Sequence, residues 1–167
     1  MSVESKGIWG GWPNERPMEL GRALFLGGAF ATHALVGTAL VYAFTDADPR
    51  LGIVFGLLPD ADFLFPAAIG WPFVHRGITH TPLFALTVVA GCYAIVRERA
   101  VAAAVALAIG SHLAIDSLSP KGIEWLFPLR TDWSPGLAVH GPTATLLLWT
   151  VSIGLVLWRV DDRPSLR

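Results

Sequence analysis

Eight ionisable residues lie in or against apolar stretches of this chain: His33, Asp60, Asp62, His75, Arg76, His80, His112 and Asp116. Such groups are costly at membrane depth and by default mark function. His112 and Asp116 are spaced i, i+4 and share one helix face. That geometry suits two ligands of one metal ion, or a carboxylate that fixes a histidine tautomer. Neutral imidazole with carboxylate suits zinc, manganese or iron. Two such ions, about 3.5–4 Å apart, activate water and clamp both oxygens of a displaced phosphate. Asp60, Asp62 or Asp116 would then bridge them. Arg76 is permanently charged and suits a phosphate oxygen. The helix expected from Thr81 offers N–H groups and a positive dipole end to an anion.

Other chemistries are excluded. The single cysteine, Cys92, lies in an apolar run and reads as packing. A disulfide framework and a zinc-thiolate site are therefore ruled out. HExxH, GxSxG and a Walker loop are absent. The HxxxD at 112–116 is shared with phosphatidic-acid-type phosphatases, but their companion motifs are missing.

The elements that must position these residues are apolar. The chain has 167 residues, 53% hydrophobic and 15% charged, against about 25% charged in soluble domains. Its length argues for one domain. A net charge of −1 with no charged run argues against nucleic acid as a partner. Leu20–Phe44 is long enough to span a bilayer as helix and carries His33 near its middle. Leu51–Trp71 is interrupted by Pro59, Asp60, Asp62 and Pro66. Such a break is tolerated only where the backbone is buried in protein or lines a wet cavity. Gly52 and Gly56 permit close approach of another helix. Pro82–Val96 is short, with Thr81 as cap and Pro82 in the first turn. Ala100–Leu118 follows the charged break Arg97–Arg99 and stops at SPKG. Residues 119–140 are polar and aromatic, which suits the membrane interface. Lys121, Glu124 and Asp132 are expected in a solvated loop there. His140 heads the last run, Pro142–Trp158, and is also expected at the interface.

These runs predict an all-α integral membrane helical bundle. It has four to five hydrophobic segments: four spans plus the interrupted second run, which either spans or re-enters. Residues 1–19 form a polar tail, 20–160 a single domain and 161–167 a charged tail. The N-terminal tail carries acids as well as bases and lacks a cleavage site, so a cleaved signal peptide is not expected. Lysine and arginine divide evenly between the two sides and do not orient the chain. The expected location is the cell membrane, as a multi-pass protein. If successive segments alternate in direction, Asp60, Asp62, His75, His80, His112, Asp116 and His140 fall toward one face. His33 reaches it from mid-depth.

GAFATHALVG, GLLPDADFLF, HRGITHTPLF and GSHLAIDSLSPKGIEWLFPL occur in that order. Together they resemble the membrane-bound metal-dependent hydrolase family, also called YdjM-like. The combination LPDxD, HRGxTH and HxxxDxxxxxG carries the resemblance. That family is distantly similar to zinc-dependent phospholipase C and the S1/P1 nucleases, which are helical and hydrolyse phosphodiesters with a metal cluster. The resemblance implies metal ligands at His33, Asp60, His80, His112 and Asp116. These would hold one or two divalent ions, zinc first, with manganese or iron as alternatives. Asp62, His75 and Arg76 match the motifs as candidates for catalysis, His75 as ligand or proton shuttle and Arg76 on a phosphate. The phospholipases' late histidine-glutamate motif has no equivalent here, which speaks against a three-metal cluster.

The expected function is therefore hydrolysis of an ester by metal-activated water. A phosphoester of a lipid or lipid-linked substrate delivered by the bilayer fits best. Two other classes remain. Intramembrane histidine and aspartate also build metal-ion or proton transporters, although no repeat symmetry is visible. A non-catalytic membrane protein with a structural metal is the third.

Overall fold

A computed structural model describes residues 15–130 and 133–162. Asp132 and most of both tails lie outside the described residues. The architecture is all-helical, with five α-helices and three short 3₁₀ segments among the described residues. The helices are α1 (Glu15–Phe44), α2 (Arg50–Leu57), α3 (Pro82–Val96), α4 (Arg99–Leu118) and α5 (Pro142–Asp162). The 3₁₀ segments are Pro59–Leu64, Ala67–Ile69 and Ile78–His80.

Among the described residues three helices are long and apolar enough to cross a membrane: Glu19–Phe44 within α1, α4 and α5. The fourth expected span, α3, is apolar but shorter. It has 15 residues, a rise of about 22 Å at 1.5 Å per residue, short of a hydrocarbon core of about 30 Å. Its ends are fixed by sequence. Thr81 Oγ1 accepts from the Phe84 N–H at 3.1 Å, with Pro82 in the first turn. Arg97 turns left-handed (φ 63°), and its N–H returns to the Tyr93 carbonyl.

The second apolar run breaks as its prolines and aspartates foretell. Pro59 has no N–H to continue α2, so the chain tightens into the 3₁₀ turn Pro59–Leu64. α2 sits on α1 through glycine. A Cβ on Gly52 would strike the backbone of Thr38, and one on Gly56 would come within 2.9 Å of the His33 carbonyl oxygen. The Gly52/Gly56 pair thus brings the two backbones together.

α4 is the centre of the bundle, packed against α1, α2 and α3. Its Val105, Ile109 and Leu113 form the main core with Ile123, and Phe55, Val88, Val89 and Cys92 pack around them. Cys92 is therefore a packing residue. α5 leans on α1, where the Trp149 indole N–H donates to Thr32 Oγ1 at 2.9 Å. The loop after α4 folds back on that helix, with the Leu137 N–H on the Leu118 carbonyl at 2.9 Å.

Candidate metal centre

The break after α2 delivers two aspartates. Asp62 is buried and gathers the loop that follows. Its Oδ1 faces His75 Nδ1 at 3.1 Å. Its Oδ2 accepts from the Arg76 N–H at 2.9 Å and Thr79 Oγ1 at 3.0 Å, and faces His80 Nδ1 at 3.1 Å. The segment HRGITH is thus wrapped around one carboxylate. Arg76 is left-handed there (φ 64°), a rare conformation for a bulky residue and one held by its surroundings. Gly77 follows because a Cβ would collide with the Pro72 carbonyl. Burial alone would raise the Asp62 carboxyl, but hydrogen bonds to His75 and His80 outweigh it and hold the group below the usual carboxylate range.

His80 and His112 face each other, with their Nε2 atoms 3.2 Å apart. The acceptors around each ring assign the tautomers. His112 Nδ1–H donates to the Gly56 carbonyl at 2.7 Å. His80 Nδ1 faces the Asp62 carboxylate. With both Nδ1 protons committed outward, neutral rings turn two Nε2 lone pairs inward; protonated His80 donates its Nε2–H to His112 Nε2 instead. Asp60 Oδ1 lies 3.5 Å from His80 Nε2 and 3.7 Å from His112 Nε2. Asp116 Oδ2 lies 3.4 and 3.6 Å from the same two atoms. Ligands about 2.1 Å from a tetrahedral ion are separated by about 3.4 Å. These five separations match that edge. Asp60, His80 and His112 have ligand atoms close enough to share one ion, and Asp116 Oδ2 adjoins both histidines as a fourth donor; imidazole and carboxylate suit a divalent ion such as zinc.

The other oxygen of Asp116 faces a different set. Oδ1 lies 3.4 Å from His33 Nε2, 3.0 Å from His140 Nε2 and 3.0 Å from Arg76 Nη2. The His33 ring stacks on His112 with centroids 3.8 Å apart. His33, His112 and Asp116 also form a group with ligand atoms close enough to share an ion, as do Asp62, His75 and His80. Arg76 is turned inward. Its Nη1 donates to Ser119 Oγ and to the carbonyls of Asp116 and Gly122.

A small cavity of about 50 Å³ opens beside the cluster. Its polar wall is His33, Asp60, His75, Arg76, Asp116 and His140, and its apolar wall is Phe25, Leu26, Ala29, Phe30 and Phe63. His75 is the most open of the histidines, with 32% of its side chain exposed. The site favours positive charge. Burial alone would lower His80, but hydrogen bonds to Asp116, Asp60 and Asp62 outweigh it and raise His80 to about 10. A metal ion binding there displaces that proton.

All eight residues singled out by the sequence come together. Two expectations change. His140 does not sit at the interface alone; it reaches Asp116 across the head of α5. The signal for it was a histidine opening a span on the same side as His112 and Asp116. Lys121 is not simply solvated; its Nζ donates to the His75 carbonyl at 2.9 Å. Burial and the neighbouring Arg76 lower its pKa. At the start of α3, Thr81 is fully buried and caps Phe84, so that helix end is already partly occupied.

The family model described as YdjM inner membrane protein matches residues 29–165, which contain every residue of this cluster. The chain belongs to this family. It is similar to the inner membrane protein YbcI of Escherichia coli (strain K12), 38% identical over 94 residues. That alignment covers 48% of this chain and 54% of YbcI, so the chain spans about half the length of that relative. No solved structure matches. A YdjM-family chain with three helices fit to cross a bilayer is a membrane protein.

Proposed function

We propose that this YdjM-family protein is an integral membrane hydrolase that uses a divalent metal ion, zinc first, to activate water against an ester. The observation that carries the reading is the inward-facing Nε2 pair of His80 and His112, 3.2 Å apart and flanked by Asp60 and Asp116. When bound, such an ion supplies a Lewis acid and lowers the pKa of its water. The chain's own residues do the rest. Asp60, His80, His112 and Asp116 hold the ion. Asp62 and the Gly56 carbonyl fix the two rings by accepting hydrogen bonds from their Nδ1–H groups. His75 shares Asp62 with His80, lines the cavity and is suited to pass a proton to a leaving group.

Four protein donors close a tetrahedron, as in structural sites, whereas catalysis requires a further position. The cavity beside Asp60 and Asp116 supports that position. Its mixed walls favour an amphiphile, with a polar head at Asp60 and His75 and an apolar part along Phe25 and Phe30 of α1. Delivery of such an amphiphile by the bilayer, with Arg76 on the polar wall, favours a phosphoester of a lipid or lipid-linked compound.

The test is a screen of lipid phosphomonoesters and phosphodiesters on detergent-purified, zinc-loaded protein. Turnover abolished by a chelator, restored by zinc and lost in Asp60→Asn supports the reading. Full zinc loading without turnover on any ester supports a structural metal instead. Zinc uptake into proteoliposomes without hydrolysis supports a transporter.

A further inference from the structure

Asp116 Oδ1 is flanked by the Nε2 atoms of His33 and His140, at 3.4 and 3.0 Å. Both histidines leave a buried Nδ1 without a hydrogen-bond partner. Two imidazoles converging on one carboxylate oxygen are the donor types a second divalent ion takes, and paired ions are a common hydrolytic arrangement. The guanidinium of Arg76 lies against two of these three donors, 3.0 Å from Asp116 Oδ1 and 3.4 Å from His140 Nε2.

We propose that Arg76 is a built-in second cation, completing one half of a two-cation centre and limiting the chain to one divalent ion. The inference rests on the metal reading of the Oδ2 side. Charge supports it independently. Asp60, Asp62 and Asp116 contribute three negative charges to the cluster and Arg76 one positive. One divalent ion cancels the remainder. A second would leave a buried excess of positive charge, which is strongly disfavoured. Lys121 stays at the rim, on the His75 carbonyl.

The guanidinium is well anchored. Its Nη1 is held by Ser119 Oγ and the carbonyls of Asp116 and Gly122, where α4 ends. A helix C-terminus favours a cation. Arginine does not deprotonate in proteins, so this charge is constant. It keeps Asp116 Oδ1 occupied and leaves Oδ2 to the exchangeable ion.

The test is zinc per chain, by elemental mass spectrometry on monodisperse, zinc-equilibrated protein. Wild type should hold one equivalent, Arg76→Ala two, and Arg76→Ala with His140→Ala one again. His140→Ala alone should keep one equivalent, a readout that stands even if Arg76→Ala fails to fold. Two equivalents in wild type, or one lost in His140→Ala, would overturn the inference. One equivalent in both wild type and Arg76→Ala would overturn it while leaving the metal reading intact. No zinc in wild type would remove the metal reading and this inference with it.

Discussion

α4 and α5 run 20 and 21 residues and are both apolar enough to cross a membrane, yet half of the α4 span is buried inside the molecule and only 6% of the α5 span. α4 is rich in alanine and packs against three helices, so His112 and Asp116 are enclosed by protein. α5 turns Leu146, Leu147 and Val151 outward, each more than 60% exposed. In a bilayer those side chains meet lipid tails as apolar as themselves, and burying them has little driving force. Hydropathy identifies both helices as spans. Only packing separates the helix that builds the site from the one that mainly borders it.

Substitutions should separate the two helices further. The largest effect is expected at Asp116, which faces the His80 and His112 pair with one oxygen and Arg76 with the other. Asp116→Ala should weaken zinc binding by more than about 100-fold, beyond the usual loss of an outer-shell partner, as measured by competition with a chromogenic chelator. Next is the α4 core. Ile109→Ala removes a fully buried side chain and should cost about 2–5 kcal/mol in reversible unfolding from mixed micelles. Gly52→Ala puts a methyl against the Thr38 backbone and should cost about 1–3 kcal/mol by overpacking in the same assay. A matching truncation on α5, Leu147→Ala, should stay within about 0.5 kcal/mol. If the α5 change cost as much as Ile109→Ala, α5 would have a protein partner rather than lipid on that face.

Proton linkage sharpens the picture of the site itself. In chelated protein, burial lowers His80 but hydrogen bonds to Asp116, Asp60 and Asp62 outweigh it, raising it from 6.5 to about 10. The folded state then keeps a proton that the unfolded state has lost. This contribution is complete below pH 6.5 and drains away as pH rises toward 10. Melting temperature in chelator should fall across that window. If His80 takes up the metal as proposed, zinc-loaded protein should not share the decline.

Much of this was legible in the sequence where the determinants are local. The i, i+4 pair His112 and Asp116, the Thr81 cap with Pro82, and the Pro59 break each depend on neighbours within a turn. The shortness of α3 was legible too, from the 15 apolar residues between Thr81 and Arg97. What stayed hidden depends on distant backbone. The tautomer of His112 is set by the Gly56 carbonyl, 56 positions away, and Arg76 is held by Ser119 and Gly122, 43 and 46 positions away. No spacing rule reports such contacts. His140 was underrated for the same reason, because its partner Asp116 lies across a loop of 24 positions.

The central claim is that His80, His112, Asp60 and Asp116 enclose one divalent ion. X-ray absorption at the zinc edge of zinc-loaded protein tests it most directly. The account predicts a shell of nitrogen and oxygen only, at about 2.0–2.1 Å, with outer-shell scattering from two imidazoles that falls to one in His112→Ala. A shell without imidazole scattering, or one unchanged in His112→Ala, would contradict it.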